Sequence, residues 1–191
     1  MTGVLLALAW CLTALGVQVA QARSRGRGTA FAPAAGNPHA GVAYAFTGGM
    51  APWAKESVRM NPGFYALGMV FHLGVFAAFL TLALPGRPQA LLSLLGALAG
   101  LGLLGKRLFT TLGSWSTGDD VLSNLLVTAV CAMAGATLIL PAAQGALPWA
   151  VIVLLVYIPL GKIRHCVFFF LSRYHFGAFF GRRGTFPPGR N

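Results

Sequence analysis

Acidic side chains are almost missing from this chain. Three Asp and Glu stand against fourteen Lys and Arg in 191 residues, and charged residues of both signs make up 9%. An ordinary soluble domain carries roughly 25% charge, so this sequence has too little to cover a surface facing water. Glu56, Asp119 and Asp120 are its only carboxylate side chains, and no catalytic acid, base or nucleophile stands out. Cysteine is scarce as well. Cys11, Cys131 and Cys166 fall inside apolar runs, with neither the CxxC spacing of a zinc or redox pair nor the CxxCH of covalent heme. They are expected to be small packing residues. No internal repeat is visible, and no basic face interleaved with aromatics appears, which excludes a nucleic-acid partner.

What the chain has is apolar length. Hydrophobic residues reach 57%, and a helix needs about 20 apolar residues to cross a bilayer. Five stretches qualify: residues 3–20, 64–84, 90–111, 121–140 and 147–171. The expected fold is therefore all-α, a polytopic membrane protein forming one bundle of five transmembrane helices surrounded by lipid. Asn61-Pro62-Gly63 opens the second span and Pro85-Gly86-Arg87-Pro88 closes it, because proline cannot continue a helix and disfavours helical geometry just before itself. Asp119 and Asp120 precede the fourth span, where carboxylates cap a helix start and favour its dipole. Ala20-Gln21-Ala22 has the form of a signal cleavage site, but Met1-Thr2-Gly3 brings no positive n-region, so the first stretch is expected to remain a span.

Basic residues cluster on one side of these spans, which gives the expected orientation. Arg23, Arg25, Arg27, Lys55 and Arg59 follow the first span, Lys106 and Arg107 the third, and Lys162, Arg164, Arg173, Arg182, Arg183 and Arg190 close the chain, against Arg87 alone on the other side. The N-terminus is expected outside and the C-terminus in the cytoplasm, with the net charge of +11 meeting anionic headgroups. Residues 21–63 form the one long connection, rich in Gly, Pro and Ala and with little to build a core. It is expected along the cytoplasmic face or against a partner subunit, with Ala51-Pro52-Trp53-Ala54-Lys55 as an interfacial anchor.

Ionisable residues within a span mark function by default, and His72 and His165 are the candidates. His72 lies about 12 Å in from Phe64 and His165 about 9 Å in from Leu171 at the helical rise. On antiparallel helices, that places two imidazoles at similar depth, as a heme iron with one imidazole on each face requires. Gly68 and Gly161 each precede a histidine by one turn and leave room for a porphyrin. Phe71 and Phe76 offer apolar walls, and Lys162, Arg164, Lys106, Arg107 and Arg59 offer cations for the propionates. His39 reads as a solvated loop residue and His175 as interfacial or partner-contacting. A second reading keeps the helices without heme, as a membrane anchor or small transporter in which the histidines only bridge neighbouring helices. A transporter would call for inverted repeats or paired interrupted helices, and neither is visible.

At these residues the chain resembles the gamma subunit family of respiratory nitrate reductases, the cytochrome b membrane anchors of quinol-linked oxidoreductases. Phe71-His72-Leu73-Gly74-Val75 resembles that family's second-span motif, and Pro159-Leu160-Gly161-Lys162-Ile163-Arg164-His165 resembles the end of its fifth span. The resemblance covers the four spans from Phe64 to Leu171 and, more loosely, the whole chain. It departs near Leu82 and Leu147, where two-heme members carry further histidines. It therefore implies a single heme b, the one nearer the cytoplasm. It further implies a multi-pass protein of the bacterial inner membrane that exchanges electrons between quinone or quinol and a cytoplasmic iron-sulfur subunit. The tail from Ser172 to Asn191, with Phe179-Phe180-Gly181-Arg182-Arg183-Gly184, is either part of that dock or a basic tail lying on the membrane surface.

Overall fold

A computed structural model describes residues 1–25, 33–110 and 115–189. Arg27 and Arg190, counted above for orientation, and Thr111, the expected end of the third span, lie outside the described residues. The chain is all-helical, with no β-strand among the described residues. The described residues form eight α-helices, in order α1 (Thr2–Arg25), α2 (Pro38–Phe46), α3 (Glu56–Met60), α4 (Pro62–Ala83), α5 (Arg87–Phe109), α6 (Gly118–Ala136), α7 (Ala142–Tyr157) and α8 (His165–Arg182). Of these, α1, α4, α5 and α6 are long and apolar enough to cross a membrane; α7 together with the helical segments after it makes a fifth candidate, as a broken span.

The fifth expected span departs from expectation. One helix over 147–171 is replaced by α7, a turn, a single 3₁₀ turn at Lys162–Arg164, and α8. Pro159 explains the break: it has no N–H to give Leu155, and its ring would collide with that carbonyl. The amides of Leu160 and Gly161 instead both donate to the Tyr157 carbonyl, at 2.9 and 3.0 Å. Two expectations fall with the continuous helix. Gly161 does not stand one helical turn before His165 on a shared face. The depth of His165 cannot be counted from Leu171 either, because α8 runs on to Arg182.

The chain divides into two compact units, the first comprising Met1–Ala14 and Gly63–Ile163. Its buried positions are mostly small: Gly74, Ala77 and Ala78 on α4, Ala90, Gly96, Ala97 and Gly100 on α5, and Cys131, Ala134 and Gly135 on α6. Many large apolar residues face outward, Phe76 at 70% exposure and Trp149 at 71% among them, although α7 buries Leu147, Val151, Leu154 and Leu155. This inversion belongs to lipid, which takes up Leu and Phe as readily as a core does and leaves close van der Waals contact to drive helices together. At the α4–α5 seam the backbones touch, since a β-carbon on Gly96 would lie 2.6 Å from Gly74 Cα. Buried hydroxyls are satisfied locally, Thr81 donating to the Ala77 carbonyl and Ser93 to that of Gln89, both at 2.8 Å. In hydrocarbon no water would serve them.

The second unit comprises Leu15–Pro62 and Arg164–Asn191. Here the long connection carries more structure than its composition promised. Asn37 caps α2, its side-chain oxygen accepting from the amides of His39 and Ala40 at 2.8 and 3.3 Å, and Pro38 takes the first turn, where its missing N–H costs nothing. α2 then lies directly on α8. A β-carbon on Gly177 would fall 2.7 Å from Val42 Cα, and one on Gly181 2.8 Å from Gly41 Cα. Gly177 and Gly181 are thus a close-contact pair at the four-residue spacing that lets helix backbones meet. Beyond the seam, the Ala35 and Gly36 amides donate to the Arg182 carbonyl at 2.9 and 3.0 Å, and Phe186 packs among Tyr44, Phe176 and Phe180 with ring centroids 5.0 to 5.4 Å apart. Trp53, on a 3₁₀ turn at Pro52–Ala54, is 79% exposed.

Gly41→Leu has nowhere to place its side chain without parting α2 from α8, and overpacking of this kind costs about 1 to 3 kcal/mol. The expected result is a lower unfolding midpoint in an SDS titration of the purified protein. Gly16→Ala, on α1 with open space beside it, leaves that midpoint unchanged or slightly raised.

Candidate functional site

His72 stands near the middle of α4. That helix begins at Pro62, two residues before the expected start, so His72 lies about 15 Å along it. Its Nδ1 is 2.7 Å from the Gly68 carbonyl oxygen. A carbonyl only accepts, so Nδ1 is the donor in this contact, and Nε2 is the nitrogen left open to a metal. The ring is exposed. Gly68, His72 and Phe76 follow one another at four-residue spacing and so share one helix face; a β-carbon on Gly68 would meet nothing within 4 Å, and Phe76 is largely exposed. An exposed lone pair on an ordered imidazole, with open space one turn away, is what a metal ligand needs before the metal arrives.

Phe71 behaves differently. It points to the α5 side, where its ring would be struck by a β-carbon on Gly100, and it meets the His72 ring edge-on with centroids 6.3 Å apart. It buttresses His72 from within the first unit instead of standing on the open face. Gly161 is buried, and the space its missing side chain leaves is filled by the Tyr157 ring. That space is therefore closed to a porphyrin.

Two of the expected propionate cations are already engaged. Asp120, 5% exposed, receives Arg107 at 2.9 Å and also the Lys162 ammonium. Its other oxygen accepts from the amide and hydroxyl of Thr117, both at 2.9 Å. Thr117 caps α6 and Asp120 is the third residue of that helix, closing a reciprocal capping box. Beside it the Tyr157 hydroxyl donates to the Asp119 carboxylate and lies 3.0 Å from Ser123 Oγ. One carboxylate thus ties α5, α6 and the 3₁₀ turn that follows α7 at one edge of the first unit. Lys106 lies 3.6 Å over the Phe64 ring. Sequence reading placed the two aspartates at the helix start but missed their partners. The Thr117-x-x-Asp120 spacing announces the box, whereas nothing in sequence links Tyr157 to Asp119.

The remaining candidates belong to the second unit. His165 is the first residue of α8 and is exposed. Arg59 is exposed on α3. Arg164 lines a groove with Arg25 and Phe168. His39 lies in the first turn of α2 instead of a loop, and His175 is on α8, edge-on to Tyr174 at 5.5 Å. Cys11 and Cys131 are buried as expected, but Cys166 is exposed. Among the described residues no group of three or more His, Cys, Asp or Glu gathers as a metal cage, a set that two-histidine heme ligation does not need. Comparison with protein-family models, curated proteins and solved structures yields no match for this chain.

Asp120→Asn keeps the shape and removes the charge that Arg107 and Lys162 share. Hydrogen bonds to charged groups contribute about 1.5 to 3 kcal/mol, so a loss of about 2 kcal/mol in SDS-titrated stability is expected. Glu56→Gln, at an exposed position of α3, is expected to change it by less than about 0.5 kcal/mol.

Proposed function

We propose that this chain is a b-type cytochrome membrane anchor: one heme b, with His72 and His165 as axial ligands, carries electrons between the quinone pool and a cytoplasmic iron-sulfur subunit. The observation that carries the proposal is His72. A polar ring in mid-span is costly unless it serves a purpose. Its bond to the Gly68 carbonyl fixes the tautomer and aims Nε2 away from its own helix. This geometry favours ligation over the bridging reading, since among the described residues the hydrogen bond of His72 goes to α4 itself and not to a neighbouring helix. Gly68 and Phe76 supply room and an apolar wall on the same face. His165 is the second ligand by its place in the family-like stretch from Pro159 to His165.

When bound, heme b supplies a reversible one-electron ferric/ferrous couple. The chain's own part is to hold the His72 lone pair in place, to exclude water, and to offer a cation to the propionates. With Arg107 and Lys162 held by Asp120, Arg59, Arg164 and Lys106 are left for that role. The basic ends of α1, α5 and the C-terminal segment support the proposed orientation, N-terminus outside and C-terminus cytoplasmic, and the family resemblance suggests a bacterial inner membrane. The surplus of cations on the cytoplasmic side also suits a dock for an acidic partner surface.

A reduced-minus-oxidised spectrum of the purified protein tests this reading. The wild type should show a b-type band, His72→Ala and His165→Ala should each lose it, and His39→Ala should keep it. Added imidazole should restore part of the band in His72→Ala, which a merely misfolded protein would not allow. A full band in His72→Ala, or none in the wild type, would refute the heme assignment.

A further inference from the structure

The second unit holds a groove of about 420 Å³ lined by Gln18, Gln21, Ala22 and Arg25 of α1 and by Arg164 and Phe168, within the roughly 300 to 1,000 Å³ of small-molecule sites. The α1 residues recur at three- and four-residue intervals and so form one helix face, in the last two turns before α1 ends at Arg25. Two guanidinium groups therefore line one concavity, and neither has a carboxylate partner among the described residues. The second unit could hardly supply one: its residues include ten Lys and Arg but a single acidic side chain, Glu56. Like charges brought together repel, and the balancing anion must come from outside the chain.

We infer that this groove binds the phosphate headgroup of an anionic phospholipid. The position decides the class of anion. α1 is apolar up to Val17 and turns polar over Gln18, Gln21, Arg23, Ser24 and Arg25, which is the level where headgroups lie beside a span. The lining matches an amphiphile: Arg25 and Arg164 offer forked donors for phosphate oxygens, Gln21 offers an amide, and Ala22 and Phe168 are apolar neighbours for the glycerol and upper acyl chain. This inference does not depend on whether the protein carries heme.

Native mass spectrometry of the detergent-solubilised chain, titrated with dioleoyl phosphatidylglycerol or dioleoyl phosphatidylcholine, tests it. A basic residue near the membrane surface contributes about 1 kcal/mol toward anionic lipid, so two predict a preference for phosphatidylglycerol of about 30-fold. The Arg25→Ala/Arg164→Ala pair should abolish that preference, while Arg183→Ala, outside the groove, should retain it. Arg25→Gln/Arg164→Gln guards against loss of fold and should behave like the alanine pair with a wild-type SDS unfolding midpoint. The inference is overturned by a glutamine pair that still prefers phosphatidylglycerol, by an equal loss in Arg183→Ala, or by inorganic phosphate competing as strongly as the lipid. It is also overturned if the paired variants lose the b-type band with lipid preference intact, because the groove would then serve heme propionates.

Discussion

A polar group inside hydrocarbon has no water to turn to, and the arrangement of this chain follows from that constraint. Hydroxyls on α4 and α5 bend back to their own helices, as Thr81 does to Ala77 and Ser93 to Gln89. His72 obeys the same rule with half of its ring. Nδ1–H is given to the Gly68 carbonyl, and Nε2 is left with a lone pair and no donor from its own helix. A serine in that position would be satisfied by the same bond. A histidine is not, and the unsatisfied nitrogen is the reason for reading it as a ligand.

The same solvent explains what holds the helices together. At the α4–α5 and α2–α8 seams glycine and alanine face each other, and many of the bulky apolar side chains look outward. In water such a surface would aggregate; in lipid it is indifferent, and association rests on how closely backbones approach. Gly74 against Gly96, and Gly41 against Gly177 and Gly181, are the points of closest approach. Charge is handled with similar thrift in the first unit, where Asp120 satisfies two cations and caps a helix at once. The second unit has no such carboxylate to spare, and its surplus of arginine makes it the part of the chain suited to anionic lipid or to an acidic partner.

Apolar runs were readable because hydropathy reports the solvent of a helix directly, so α1, α4, α5 and α6 begin and end within a few residues of expectation. α7 and α8 were not, although the stop signal was present. Pro159-Leu160-Gly161 reads as a family-like motif and also ends a helix, and the run beyond it is apolar enough to hide the break. The fold of residues 33–62 was obscured for another reason. Asn37-Pro38 starts α2 and Gly177-x-x-x-Gly181 prepares α8, but each pattern looks like weak helix on its own, and only their contact turns glycine into an asset. At the candidate site, residue identity and spacing along α4 gave His72 and Gly68. The engagement of Arg107 and Lys162 by Asp120 depends on side chains from three helices, which no local pattern encodes.

The electron-carrier account comes down to whether an imidazole of α4 is bonded to iron. Low-temperature electron paramagnetic resonance of the air-oxidised protein, purified from its native membrane with iron and protein quantified on the same sample, measures this directly. The account predicts one iron per chain and a low-spin ferric signal of two imidazole ligands that is lost in His72→Ala. A protein without iron, or the same signal persisting in His72→Ala, would contradict it.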